Sequence, residues 1–408
     1  MNHQPARGEV PAATPAPDVP LAPTFVLRGA REALAAQGCR RVLPAAGGTL
    51  EDRLARFFAT KGEGPGLLVG ALPYEAAGAA HLYEPATLVR NTARPAASPS
   101  AFPPAPALGA CRITPLPDVA AYRAAVAAAL ERMAAEADDP AGLRKIVLAR
   151  ALWLEAERPI DAAALLDRLA RDPAVTAFRV PLPAAAADAP PRELVGASPE
   201  LLLAKTGARI ASHPLAGSAR RRPDDPAADA DAARALRDSG KDRREHAAVV
   251  EAILDALAPL CRALGTPDGT TLFATASMWH LGTRIAGELK DPGLPSLALA
   301  ARLHPTPAVC GTPRAAAARV IAELEPAPRG FYAGAVGWCD AAGDGRWWVA
   351  IRCAEIAGRT ARLHAGAGLV PGSDPQAEAE ETAAKFAALL DALGIDESGR
   401  PRVGEGRP

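Results

Sequence analysis

The chain has 408 residues, is 49% hydrophobic, and balances 46 basic against 46 acidic side chains for a formal net charge of zero and a pI of about 7.1. This length allows one large domain or two to three ordinary ones. The neutral balance gives no electrostatic reason to expect nucleic acid or an anionic membrane as partner, and no apolar run is long enough to span a bilayer.

The N-terminus lacks a basic-then-apolar signal pattern, and its Pro/Ala-rich residues 1–24 are expected to be a disordered tail. The six cysteines show no CxxC pairing and no metal-finger spacing, which implies reduced thiols in a cytoplasmic protein. A mixed region follows, with a helix-like REALAAQ and a strand-like GLLVGALPY. A Pro-rich connector, Arg94 to Ala110, separates it from the rest.

From Asp118 the pattern predicts a helix in VAAYRAAVAAALERMAAEA, a strand in KIVLARALWLEA and a helix in DAAALLDRLARD. Strand-like runs come next, in AVTAFRVPL, ELVGASPELLLAKTG and ARIASHPLAGS. A long helical stretch is expected from about Ala227 to Leu264. The last strands lie in GFYAGAVGWCDAAGDGRWWVAIRCAEI and RTARLHAGAGLV, and the final helix starts in DPQAEAEET. Short glycine-containing connections in AKTGAR and DAAGDGRW predict hairpins. Hairpin-linked strands with helices grouped between them argue for an α+β fold built on antiparallel sheets.

Several residues carry chemistry in this pattern. Only six of the 46 basic residues are lysines, among them Lys145, Lys241 and Lys385. Arginine cannot release its proton in a protein, whereas a desolvated lysine can, so each lysine is informative. Glu378 and Glu381 share one helical face, and Asp242 and Glu245 repeat that spacing on another helix. Two such pairs could hold a divalent cation, and oxygen ligands suit Mg²⁺. They also fit solvated helix faces, with Glu381–Lys385 as an i,i+4 ion pair and Asp242 as a cap. Glu200, set among apolar neighbours after Ser198–Pro199, suits a general acid or an exposed edge position. Arg352, alternating with apolar residues, could offer its fork to a carboxylate. The glycine loop Gly366-Ala367-Gly368 ahead of a helix suggests an anion cradle. Histidines 213, 280 and 304 are not at zinc spacing, and GxSxG, GxGxxG and GxxxxGK[ST] are absent.

Taken in order, KIVLAR, GASPELLL, HPLAGSARR, GKDRREH, MWHLGT, LHPTPAVCG, FYAGAVGW, VAIRCAEI and GAGLVPGSDPQAEAEET resemble the chorismate-utilising enzymes: isochorismate, salicylate, anthranilate and aminodeoxychorismate synthases. The resemblance runs from about Ala120 to Gly394 and is strongest to the isochorismate synthases. It implies an αβ-sandwich of antiparallel sheets with helices packed outside and the active site in a cleft between them. It also implies one catalytic domain over residues 25–396, with 25–117 the less well matched part and 118–396 the core.

By position, the resemblance makes Lys145 the base that activates water and Glu200 the acid that protonates the departing C4 hydroxyl. Glu245 and Glu381 become Mg²⁺ ligands, with Glu378 and Asp242 behind them. Arg352 and the amides of Gly366, Ala367 and Gly368 become carboxylate-binding groups, with His280, Ala308 and Lys385 in the substrate pocket. The implied reaction turns chorismate into isochorismate by attack of water at C2, for siderophore (2,3-dihydroxybenzoate or salicylate) or menaquinone biosynthesis. A lysine at position 145 favours water over ammonia as nucleophile, and Ala308-Val309 favours isochorismate synthase over salicylate synthase. The expected partner is chorismate alone, on a monomer with at most transient contact to a downstream isochorismatase or pyruvate lyase.

Overall fold

The computed structural model describes residues 24–402, apart from 31, 61–63, 76–77, 92–104, 106, 185 and 187. Residues 1–23 of the expected tail and most of the Pro-rich connector therefore lie outside the described residues, while Thr24, expected in the tail, begins a strand.

Among the described residues two large antiparallel sheets, of ten and nine strands, and a small one of three make the framework. In the ten-stranded sheet the strand Lys145–Ala156 lies beside Thr360–Leu369, then Cys353–Ala357, then Arg192–Ser198. In the nine-stranded sheet Leu201–Thr206 lies beside Gly345–Val349, and Ala335–Asp340 beside Leu67–Leu72. The small sheet holds Leu215–Arg220, Met278–Thr283 and Thr270–Ala274.

The main core contains inward side chains of both large sheets, including Phe25, Leu148, Phe178, Leu202 and Val336. A second core lies on the other side of the ten-stranded sheet. There Leu154 and Leu363 meet Leu165 of the helix Ala162–Leu169 and Phe386, Leu389 and Leu393 of the helix Pro375–Leu393. Each such side chain contributes about 1.5–3 kcal/mol on burial. This layering is the α+β fold of antiparallel sheets that the hairpin pattern predicts, arranged as the sandwich that the resemblance implies.

Two strand pairs pass from one sheet to the other side by side. Arg192–Ser198 pairs with Cys353–Ala357 in the first sheet, and Leu201–Thr206 with Gly345–Val349 in the second. The crossings are Pro199-Glu200 and Ala350-Ile351-Arg352. Arg352 therefore stands at a kink with φ 51°, not on a continuous strand, and the left-handed backbone turns the chain between sheets.

Three other expectations need correction. The described part of REALAAQ is not helical: Ala33–Gln37 is a strand held on both sides, by Thr24–Arg28 and Thr87–Asn91, with Leu34 and Ala36 buried. Tertiary pairing overrides its helix-forming composition. The stretch 227–264 is two helices, Pro226–Asp238 and Gly240–Leu257, followed by the strand Cys261–Gly265. Ser239 is extended and caps the second helix by accepting from the Asp242 N–H. Gly366-Ala367-Gly368 is not a loop but the end of the strand Thr360–Leu369, in register with Ala149, Leu148 and Val147.

The acidic helix after it is well specified by local sequence. Asp374 accepts the Ala377 N–H, Pro375 occupies the first turn, and Gly394 closes the helix with φ 76°.

Candidate active site

The crossings, the Gly366 strand, the small sheet and two helices surround a cavity. Glu200, Glu245, His280, Ala308, Arg352 and Glu381 line it, with Lys385, Gly366 and Gly368. Four residues named from the sequence stand back from this lining: Lys145, Asp242, Ala367 and Glu378.

Ala367 is set back by strand geometry. In an antiparallel strand a residue's N–H and C=O point to the same side, and successive residues alternate. The Gly366 carbonyl accepts from Lys385 Nζ at 2.8 Å, so Gly366 and Gly368 turn their amides away from the Lys145 strand. The Val147 and Ala149 amides also point away from this pair, to Cys310 O and Glu325 Oε1. Ala367 therefore directs its amide to Leu148 within the sheet. The expected three-amide cradle reduces to the amides of Gly366 and Gly368.

Lys145 is fully buried at the start of its strand. Its ammonium donates to Pro307 O at 2.6 Å and lies 3.3 Å from Glu245 Oε1. The loop that carries Pro307, Ala308 and Val309 is fixed by Arg329, which sequence reasoning missed. This buried guanidinium donates to Val309 O at 2.6 Å and Val147 O at 2.7 Å and pairs with Glu325.

Three of the glutamates are matched one to one with lysines. Glu381 Oε1 lies 2.6 Å from Lys385 and accepts the Ser218 hydroxyl at 3.0 Å. Glu378 Oε1 lies 2.6 Å from Lys241. With Lys145 on Glu245, three of the six lysines converge here. Lysine scarcity could have singled out Lys241; Ser218 and the cavity-lining Tyr332 carried no comparable signal.

These environments separate the acids electrostatically. Burial pushes Glu200 up to about 8, against the opposing influence of Lys145 and Lys385. Glu200 is thus neutral at neutral pH and can donate a proton. Burial also raises Glu245, partly offset by Lys145, and raises Glu378, with Glu381 adding to the effect. For Glu381 burial acts in the same direction, but Lys385 and the bonds it receives outweigh it and hold the group below its usual range. Burial, then Arg352 and Lys385, push His280 well below its ordinary value, so its neutral ring faces the Arg352 guanidinium at 3.4 Å.

The donor set fits a hard divalent cation. Glu245 and Glu381 both face the cavity, and Gly368 leaves space for the first: a Cβ there would lie 1.9 Å from Glu245 Oε1. Glu378 Oε2 is buried without a hydrogen-bond partner. Among the described residues no group of three or more His, Cys, Asp or Glu is placed to hold a metal. Mg²⁺ commonly takes one or two carboxylates and fills its shell with water and substrate oxygens. Asp242 sits half-buried against Gly217, behind the lining.

Residues 83–394 match the family described as chorismate binding enzyme. The chain is 42% identical over 381 residues to the isochorismate synthase DhbC of Bacillus subtilis (strain 168), spanning 91% of this chain and 94% of that one. It is 39% identical over 350 residues to the isochorismate synthase EntC of Escherichia coli (strain K12), spanning 85% and 86%. Among solved structures, a Bacillus anthracis protein assigned as a 2,3-dihydroxybenzoate-specific isochorismate synthase superposes with a TM-score of 0.84 at 36% identity. That match covers 93% of this chain and 98% of the other. Among the described residues no helix is long and apolar enough to cross a membrane.

Proposed function

The chain belongs to the family of chorismate binding enzymes, and on that premise we propose that it is an isochorismate synthase, an isomerase that turns chorismate into isochorismate. The observation that carries this reading is a buried carboxyl held neutral to about pH 8, Glu200, sharing one site with a buried lysine, Lys145. Water adds at C2, the double bonds shift, and the C4 hydroxyl leaves. Such a reaction needs one group to take a proton and another to give one.

Glu200 gives its proton to the departing C4 hydroxyl. Lys145 takes the proton of the attacking water; for this its amine turns from Glu245 and Pro307 O towards the cavity. Arg352 and the open amides of Gly366 and Gly368 receive a substrate carboxylate. His280, neutral beside Arg352, leaves that guanidinium its full charge for the substrate. Lys385 and Ala308 complete the pocket wall, and the small Ala308 and Val309 side chains favour this activity over pyruvate elimination to salicylate.

Mg²⁺ is the cofactor of this reading, held by Glu245 and Glu381, with Glu378 and Asp242 behind them through water. When bound it neutralises and orients the ring carboxylate. We place the catalytic domain at residues 25–396, because strands from residues 24–91 pair inside both large sheets. The isochorismate would serve siderophore or menaquinone synthesis.

The test is to incubate purified protein with chorismate, with and without Mg²⁺, and identify the product. Isochorismate formed only with Mg²⁺ supports the reading. Salicylate and pyruvate in equal amounts would move the assignment to salicylate synthase.

A further inference from the structure

Pro199 and Arg352 line a second cavity as well as the first. It opens to solvent and lies on the far side of the wall these two residues form. Its floor is apolar, with Leu169, Val175, Ala197 and Leu389. Arg168, Arg171 and Arg352 also line it, with Arg168 already donating to the Asp391 carbonyl at 2.9 Å.

The acids of this cavity are already engaged. Asp172 accepts the Ala174 N–H at 2.9 Å and the Ala276 N–H at 2.7 Å, and Asp391 pairs with Arg402 at 3.3 Å. The guanidinium of Arg352 feels Glu381 from the first cavity and Asp172 from the second. Among the described residues its side chain makes one long hydrogen bond, to His280 at 3.4 Å, and no ion pair. A guanidinium has five N–H donors in a fixed fork, so most of its capacity remains for a ligand on either side.

The geometry points to a second ligand site: this cavity takes a small organic acid whose apolar body covers the Leu169–Val175 floor and whose carboxylate pairs with Arg352 from behind. Apolar walls with a few convergent polar groups are the usual make-up of a small-molecule site. A half-buried fork prefers a planar carboxylate, while the apolar floor disfavours a heavily charged ligand. An acid bound there withdraws Arg352 from the substrate carboxylate, so it inhibits turnover without occupying the first cavity. That consequence rests on the chorismate reading; binding itself does not.

Benzoate is a suitable probe, titrated calorimetrically into the full chain without chorismate. Ala388, half-buried on the helix Pro375–Leu393, lines the second cavity and not the first, and so does Ala276. Wild type should bind one benzoate. Ala388→Phe, which pushes a ring into the cavity, should weaken that binding about tenfold or more, with kcat/KM for chorismate within about twofold of wild type. Ala276→Leu should reproduce the loss if Ala388→Phe folds poorly. Inhibition of turnover by benzoate should disappear in the same variants. Unchanged benzoate affinity in both variants would put the acid in the first cavity and overturn the proposal, as would absence of binding to wild type. Loss of benzoate binding in both variants of a protein that does not turn over chorismate would leave this site standing and remove the functional reading instead.

Discussion

Replacing Glu200 by glutamine should make the protein more resistant to unfolding as pH rises. The folded carboxyl titrates near 8 because it is buried, whereas in the unfolded chain it titrates near 4.5. The unfolded state therefore releases this proton first. The contribution is fully present below about pH 4.5, declines as pH rises towards 8, and stays constant above it. At about 1.4 kcal/mol per pH unit, the displacement is worth up to about 5 kcal/mol, of which more than half is lost by pH 7. Glutamine has nearly the same shape and no proton to lose, so it escapes the penalty. Urea unfolding of wild type and Glu200→Gln at about pH 5 and about pH 8.5, without Mg²⁺, measures the difference. The two stabilities should converge at the lower pH and diverge by several kcal/mol at the higher. Parallel stabilities across this range would refute the buried, neutral carboxyl. Turnover of the variant should fall by about 10²–10⁴, since an amide cannot protonate the leaving hydroxyl, and wild-type kcat/KM should decline above about pH 8.

Three further substitutions probe other parts of the site. Lys145→Gln should reduce kcat by about 10² or more with the fold retained by circular dichroism, and wild-type turnover would remove the lysine as base. Glu381→Gln should raise the Mg²⁺ concentration needed for half-maximal activity at least about tenfold; an unchanged requirement would count against this ligand. Gly368→Ala places a methyl 1.9 Å from Glu245 Oε1, so it should displace that carboxylate and weaken Mg²⁺ binding measured by calorimetry. Wild-type metal affinity in that variant would show that the close approach is dispensable.

Much of the fold was legible because local signals and tertiary demands agree. KIVLARALWLEA is a strand from Lys145 to Ala156, and both glycine hairpins form, because β-rich runs and turn residues coincide there. REALAAQ misled because composition favours a helix while two flanking strands supply partners. The long helical stretch was interrupted by one serine whose capping value exceeds its effect on hydropathy.

The site was legible as chemistry and less so as geometry. Glu200 and Arg352 stand together because two strand pairs change sheets at one place, a non-local event with only Ser198-Pro199 as a local sign. Ala367 could not be separated from its glycine neighbours, since that depends on which way each peptide faces in the sheet. Lys241 was visible as a rare lysine, but its partner Glu378 lies 137 positions away.

The most direct measurement follows the oxygen. Turnover of chorismate in ¹⁸O-labelled water with Mg²⁺ should give isochorismate carrying one label, at the C2 hydroxyl. Unlabelled isochorismate, or an aminated product when ammonium is supplied, would contradict attack by water activated at Lys145.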